Sequence, residues 1–335
     1  MKKILVTGGL GFIGSHTVVE LQNKGFEVVI IDDLSNSKIT VLDKITEITG
    51  VKSDFHQLDL RIKQNVTNFF NNNTVDGIIH FAAFKAVGES VENPLDYYEN
   101  NIGSLVYLLQ EIRNRKLDNF IFSSSCTVYG QADELPITEN APTKPAESPY
   151  GNTKQIGEEI IKDSCKAYNI NAIALRYFNP TGAHDSLKIG ELPLGVPQNL
   201  IPYVTQTAAG IRKELAVFGD DYDTPDGTAI RDYIHVVDLA KAHIAALNRL
   251  LEKKNKTNFE FFNVGTGTGS SVLEVINTFE KVTHKKLNYK IVAKRAGDIT
   301  AAYADTTIAN KELNWKTEKT LEDALLSSWK WQEKQ

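Results

Sequence analysis

At 335 residues the chain is long enough for a large core and two lobes. Its 41% hydrophobic and 24% charged residues are those of a soluble globular protein, and a net charge of −5 favours neither a nucleic acid nor an anionic membrane surface as partner. The two cysteines, Cys126 and Cys165, lack metal-type spacing, no apolar run approaches the roughly 20 residues of a membrane span, and no secretory leader is evident, so the expectation is a cytoplasmic protein with reduced thiols and no metal.

In chain order, short apolar runs predict strands at 3–7, 27–31, 53–57, 77–82, 119–123 and 171–177. Helical patterns lie between them near 12–24, 38–48, 62–72, 94–115 and 149–168. This alternation predicts an α/β fold, a doubly wound parallel sheet with helices on both faces. Runs such as Gly77-Ile78-Ile79-His80-Phe81 suit strands buried on both sides. After about residue 178 the rhythm weakens. Loops bearing Gly and Pro are expected at 180–197 and 219–230, with a helix at 199–210 between them. Loops of that length in a compact enzyme are usually functional. Strand–helix signals return at 232–252 and 259–282, and helices follow near 305–313 and 320–332. The expected division is residues 1–180 as the sheet domain and 181–335 as a smaller mixed α/β lobe, with 232–265 packing back onto the sheet.

The first strand–helix junction carries a chemical signal. Lys2-Lys3-Ile4-Leu5-Val6-Thr7 runs into Gly8, Gly11 and Gly14, a GxxGxxG spacing, and then into a helical pattern. A strand, a glycine-rich turn and a helix N-terminus together form an anion site, because free N–H groups and the helix dipole face one point. Gly8 permits the turn, Gly11 lets backbone approach a pyrophosphate, and Gly14 lets helix and strand pack closely. A glycine triplet alone is also an ordinary strand–helix turn. Here a second apolar run, Val28-Val29-Ile30-Ile31, ends in Asp32, placed to accept hydrogen bonds from a ribose diol. Together these point to dinucleotide binding.

Ser148-Pro149-Tyr150-Gly151-Asn152-Thr153-Lys154 is the second informative stretch. Ser148 is a good N-cap and Pro149 a good first helical residue, which sets Tyr150 and Lys154 one turn apart on one face. A nearby ammonium favours the phenolate of a tyrosine, so Tyr150 is a candidate general base. YxxxK is common, and alone it is equally a surface pair on an amphipathic helix. The run Ser123-Ser124-Ser125 after the strand 119–123 adds hydroxyls at the C-terminal end of a strand, where ligands bind in open α/β sheets.

With these residues in view, the chain resembles the extended short-chain dehydrogenase/reductase family, and within it the UDP-hexose 4-epimerase branch. The further matches are Val6-Thr7-Gly8-Gly9, His80-Phe81-Ala82-Ala83, Lys85-Ala86-Val87-Gly88-Glu89-Ser90, Arg176-Tyr177-Phe178-Asn179-Pro180 and Arg231-Asp232-Tyr233-Ile234-His235. The resemblance implies a Rossmann-type fold, tightly bound NAD, a UDP-hexose substrate and a homodimer formed through the helices at 94–115 and 149–168. It implies Ser125, Tyr150 and Lys154 as the catalytic group. Cofactor contacts then fall on Gly8, Gly11, Phe12, Ile13, Gly14, Asp32, Asn36, Ser37, Asp59, Leu60, Phe81, Ala82, Lys85, Asn100 and Phe178, beside the catalytic three. Substrate contacts fall on Asn179, Asn199, Leu200, Phe218, Arg231, Arg295, Asp298 and Ala302, again with Ser125 and Tyr150. The acids Asp32 and Asp33 disfavour a 2′-phosphate, hence NAD over NADP.

The implied reaction passes through a 4-keto sugar that turns in the pocket, with UDP held fast. Ala302 borders the sugar 2-substituent in this alignment, so its small side chain implies that UDP-GlcNAc and UDP-GalNAc are also accepted; a one-residue slip would put Tyr303 there instead. Three alternatives stay open. A 4,6-dehydratase shares the fold, but Cys126-Thr127 stands where such enzymes carry an Asp-Glu pair. An alcohol dehydrogenase would release NADH. An NAD-sensing regulator would need no base. Phe218 could equally be core, and Arg231-Asp232 a structural ion pair.

Overall fold

The computed structural model describes residues 1–295 and 298–335. All six expected strands form: β1 Lys3–Thr7, β2 Glu27–Asp32, β3 Asp54–Gln57, β4 Gly77–His80, β5 Phe120–Ser123 and β6 Ala172–Tyr177. With Phe259–Val264 they build a seven-stranded sheet in the order β3-β2-β1-β4-β5-β6-(259–264), every pair parallel. Successive residues of each strand enter different cores, as the pleat requires. Ile4, Val6, Val28, Ile30 and Ile79 pack towards helix α1 (Phe12–Asn23) and the helix Val236–Leu251. Leu5, Val29, Ile31 and Ile78 pack on the other side, where helices Lys63–Asn72, Ser104–Arg115 and Pro149–Tyr168 lie. The strand order reverses between β1 and β4, and the C-terminal strand ends beside that point open a crevice.

The return of the chain to this sheet is longer than the sequence predicts. Val236–Leu251 packs against α1, and Thr307–Leu313 packs in turn on that helix, with Ala309, Leu313 and Trp315 in the same core. The second region has its own core, built from Ile201, Val204, Leu215, Val217, Val275, Ile276, Phe279, Leu325 and Trp329. Its small sheets escape sequence reading because they pair pieces of two to four residues from distant segments: Leu215–Phe218 with Tyr289–Val292, and Ile230–Arg231 between Ser270–Ser271 and Ala301–Ala302.

The expected continuous helix at 94–115 is broken. A helix Val87–Glu92 precedes it, Pro94 restarts the chain as the first residue of Pro94–Tyr98, and a π-helical turn, Glu99–Gly103, leads into Ser104–Arg115. Proline cannot continue a preceding helix, and a π turn re-aims the side chains it carries.

Four buried histidines are expected to make the fold acid-sensitive. Burial pushes His16 and His80 down to about 3, and His235 and His243 down to about 4, from an ordinary 6.5. The unfolded chain therefore takes up protons near pH 6.5 while the folded chain stays neutral, so stability is full above that pH and falls as the pH drops towards 4. Glu20, Glu139, Asp232 and Asp238, which burial holds above the ordinary carboxylate range, act in the opposite sense and offset part of that loss. The melting temperature is expected to be level above pH ~7 and to fall steadily between pH ~6.5 and ~4.5, a window set by those histidine values. A level melting temperature across that window would contradict the assignment.

Candidate active site

The glycine turn has the shape its residues demand. Gly8 sits at φ +69°, and a Cβ there would lie 2.8 Å from the Ala82 amide nitrogen. A Cβ on Gly14 would lie 2.1 Å from the Gly8 carbonyl oxygen, so only hydrogen fits. Gly11 caps α1, leaving the amides of Phe12 and Ile13 in the first turn without helical partners. Asp32, at the end of β2, is buried. Its Oδ2 accepts from Leu10 N (3.0 Å), and its Oδ1 from Leu34 N (3.0 Å) and Ser37 Oγ (2.8 Å). These bonds use three of a carboxylate's roughly four acceptor positions, and Ser37 can rotate away to free another for a diol. A cradle of this kind, with open amides and a fixed acid, fits a dinucleotide.

The cradle walls one end of a cleft of about 1790 Å³. Asn36, Ser37, Asp59, Leu60, Phe81, Ala82, Lys85 and Asn100 line it, as do Tyr150, Lys154, Asn179, Asn199, Arg231, Arg295, Asp298 and Ala302. Leu200 and Phe218 line an adjoining pocket of about 370 Å³. Two expected contacts are set back from the wall. Ser125 is buried, its Oγ accepting from Thr127 N at 3.2 Å and lying against the Tyr150 hydroxyl. Phe178 packs its ring into a small apolar cluster with Val128, Tyr129, Ile137 and Ala302, and it is not among the residues lining the cleft.

Helix Pro149–Tyr168 begins as the sequence indicates, with Ser148 Oγ accepting from Gly151 N at 3.2 Å. Tyr150 and Lys154 share one face. Lys154 Nζ donates to the Ser123 carbonyl at 2.7 Å, 5.0 Å from the Phe122 ring centre and 5.8 Å from that of Tyr150. Burial pushes the Lys154 ammonium down to about 8, against the pull of Glu158 one turn along. Burial also drives the Tyr150 phenol well above its ordinary range, with Tyr177 adding to the rise and Ser125 opposing it. Burial is the largest of these causes and acts against the phenolate that a neighbouring ammonium favours.

Asn101 was not legible in the sequence. Its Oδ1 accepts from Phe84 N (2.8 Å), and its Nδ2 donates to Phe84 O and Thr153 Oγ1, both at 3.0 Å. It clamps the loop bearing Ala82 and Lys85 to the helix bearing Tyr150 and Lys154. The π turn aims it inward, and no periodicity reveals such a turn.

On the opposite wall, Arg231 pairs with Asp298. The proposed Arg231–Asp232 pair is excluded: Asp232 faces away, fully buried, and accepts from the amides of Thr266, Gly267 and Ala304. Phe218 is not core, since Leu215 and Val217 occupy the inward positions of its strand; the Arg295 guanidinium lies 3.7 Å from the centre of its ring. Glu191 joins the two ends of the cleft, accepting from Lys85 Nζ (3.2 Å) and Asn199 Nδ2 (2.8 Å). Asp59 is held by Arg61 through both oxygens, which keeps its carboxyl below the usual range. Ala302 pairs in register with Arg231, while the Tyr303 ring turns towards Gly269. Of the segment 295–298, Ala296 and Gly297 lie outside the described residues. Among the described residues there is no group of three or more His, Cys, Asp or Glu that could hold a metal, and no helix long and apolar enough to cross a membrane.

A parallel sheet with a glycine-rich first turn, an acid closing β2 and a buried Tyr–Lys pair beside β5 define an extended short-chain dehydrogenase/reductase. Comparison narrows the class. The profile of the family described as GDP-mannose 4,6 dehydratase matches residues 5–327. The UDP-glucose 4-epimerase of Bacillus subtilis is 48% identical, over 98% of this chain and 96% of its own. The structure of the Bifidobacterium longum UDP-glucose 4-epimerase in complex with NAD+ and UDP superposes with a TM-score of 0.95 at 47% identity, covering 99% of this chain and 98% of that one. The UDP-Glc/GlcNAc 4-epimerase of Campylobacter jejuni superposes with a TM-score of 0.86 at 35% identity, over all of both chains. The chain belongs to the UDP-glucose 4-epimerase family. The dehydratase in the profile's description is not matched by the site, because Cys126 and Thr127 after Ser125 supply no carboxyl, and burial holds the Cys126 thiol up at about 12.

Proposed function

We propose that the protein is an NAD-dependent UDP-glucose 4-epimerase, interconverting UDP-galactose and UDP-glucose through a 4-keto sugar. The observation that carries this reading is the place of the Tyr150–Lys154 pair, at the meeting of the glycine cradle and the arginine-bearing pocket. Gly8, Gly11, Phe12, Ile13 and Gly14 would hold the pyrophosphate of NAD and Asp32 its adenosine ribose. When bound, the oxidised nicotinamide supplies reversible hydride exchange and a positive charge next to Tyr150.

The chain's own residues do the rest. Tyr150 takes the proton from the sugar 4-hydroxyl and later returns it. Ser125 orients that oxygen, and Lys154 favours the ionised phenol. Arg231 and Arg295 grip the diphosphate, since a planar guanidinium bonds two oxygens at once. Arg231 then exchanges Asp298 for phosphate, and Arg295 leaves the Phe218 ring to free it as a face for uracil. The remaining space lets the hexose turn while UDP stays anchored. Within this reading, residues 1–180 with 232–265 form the NAD-binding domain and the rest of 181–335 holds the nucleotide sugar. The helices around 94–115 and 149–168 form a homodimer face, and the enzyme is cytoplasmic.

Purified protein incubated without added cofactor is expected to convert UDP-galactose and UDP-glucose into each other. Stoichiometric release of NADH would instead mark an alcohol dehydrogenase, and tight NAD binding without turnover a sensor. One NAD per chain is expected to survive purification. Extraction followed by chromatography checks this, and a predominance of NADP would overturn the role given to Asp32.

A further inference from the structure

Behind the catalytic group, and outside the cleft wall, lies a buried polar chain that the reaction does not use. Ser124 is fully buried, and its Oγ donates to Glu158 Oε1. Arg176 holds the same carboxylate from its other side, Nε to Oε1 at 2.9 Å and Nη2 to Oε2, with side-chain exposures of 6% and 8%. Arg176 Nη1 donates onward to Tyr129 Oη at 2.9 Å, and Tyr129 Oη donates to Asn263 Oδ1 at 2.7 Å. The guanidinium also lies 4.0 Å from the centre of the Phe261 ring.

An ion pair this deep is weak evidence for stability, because desolvation offsets its attraction. Its place gives it another use. Ser124 stands between Ser123, whose carbonyl accepts from Lys154, and Ser125, whose hydroxyl faces Tyr150. Glu158 lies one turn beyond Lys154 and two beyond Tyr150 on the same helix. The Ser124–Glu158 bond is thus a cross-tie between the two segments that carry the reacting groups, and Arg176, at the end of β6, fixes the carboxylate in the one orientation that makes it.

We propose that Glu158 is a positioning residue of the epimerase, setting the distance between Ser125 and the Tyr150–Lys154 pair through Ser124. This rests on the catalytic reading of those three residues. A displacement of about 1 Å at reacting groups can cost on the order of 100-fold in rate. The Ser124→Ala variant removes only the tie. With NAD bound, it is expected to lose about tenfold or more in kcat for UDP-galactose, with KM and the calorimetric affinity for UDP unchanged. Ser124→Thr, which keeps the hydroxyl, is expected to restore most of that loss. Rates are taken per NAD-loaded chain, so a merely structural effect would lower melting temperature and NAD content without changing kcat. Wild-type kcat in folded, NAD-loaded Ser124→Ala would overturn the proposal, as would a loss that Ser124→Thr does not restore. Tyr150→Phe, assayed in parallel, separates the two readings: if it stays active the catalytic assignment falls, and if it is inactive while Ser124→Ala is not, only the positioning role falls.

Discussion

Tyr150→Phe is expected to fold, retain NAD and lose epimerisation by about 10²–10⁴-fold, the usual worth of a positioned general acid–base. The substitution removes one hydroxyl from a ring that is 8% exposed, and packing of the ring against its helix is unchanged, so the loss should lie in kcat rather than in stability. Burial holds the phenol above its ordinary range, so any positive charge beside it favours the ionised form. Lys154→Ala should be impaired too, because the ammonium that donates to Ser123 O and faces the Tyr150 ring is the chain's own contribution to that charge. The check is turnover of UDP-galactose at saturation, with NAD content and melting temperature measured on the same preparations. Near-wild-type turnover by Tyr150→Phe would remove Tyr150 from its role.

The sheet and its cofactor cradle were readable from residue order because both are local. Each strand is a short apolar run, and the turn after β1 announces itself through glycines at positions where a Cβ would strike backbone. The Tyr150–Lys154 pair was readable because one helix carries both. What stayed hidden depends on tertiary neighbours. Asn101 becomes a clamp only through a π turn. Arg231 was open between a substrate contact and an ion pair with Asp232 until the fold brought Asp298, 67 positions away, to its side and sent Asp232 to the amides of 266 and 267. Glu191 had no signal, since its partners Lys85 and Asn199 come from separate loops. The depth of burial that raises the Tyr150 phenol was equally absent from a reading of spacing.

The second large effect is expected at Ala302, and concerns which sugars are turned over. Its neighbour Tyr303 was the rival occupant of the cavity wall. Ala302 lies on that wall in register with Arg231, whereas a Cβ on Gly269 would lie 2.9 Å from Tyr303 Cδ1, so the aromatic ring is directed elsewhere. A methyl side chain at this point would leave room for an acetamido group on C2 of a hexose that turns over in the cleft. The wild type is therefore expected to interconvert UDP-GlcNAc and UDP-GalNAc as well as the plain hexoses. Ala302→Tyr fills the space: UDP-GlcNAc turnover should fall by about tenfold or more, while UDP-galactose turnover is largely kept, because a clash discriminates more strongly than a missing contact. Enlarging a side chain that is 3% exposed also strains its surroundings by about 1–3 kcal/mol, so Ala302→Ser serves as the control that perturbs the site without filling it. Both nucleotide sugars are assayed on each variant, and the ratio of their kcat/KM values is the readout. A wild type inactive on UDP-GlcNAc, or an Ala302→Tyr variant with an unchanged ratio, would show that the gate lies elsewhere on the cleft wall.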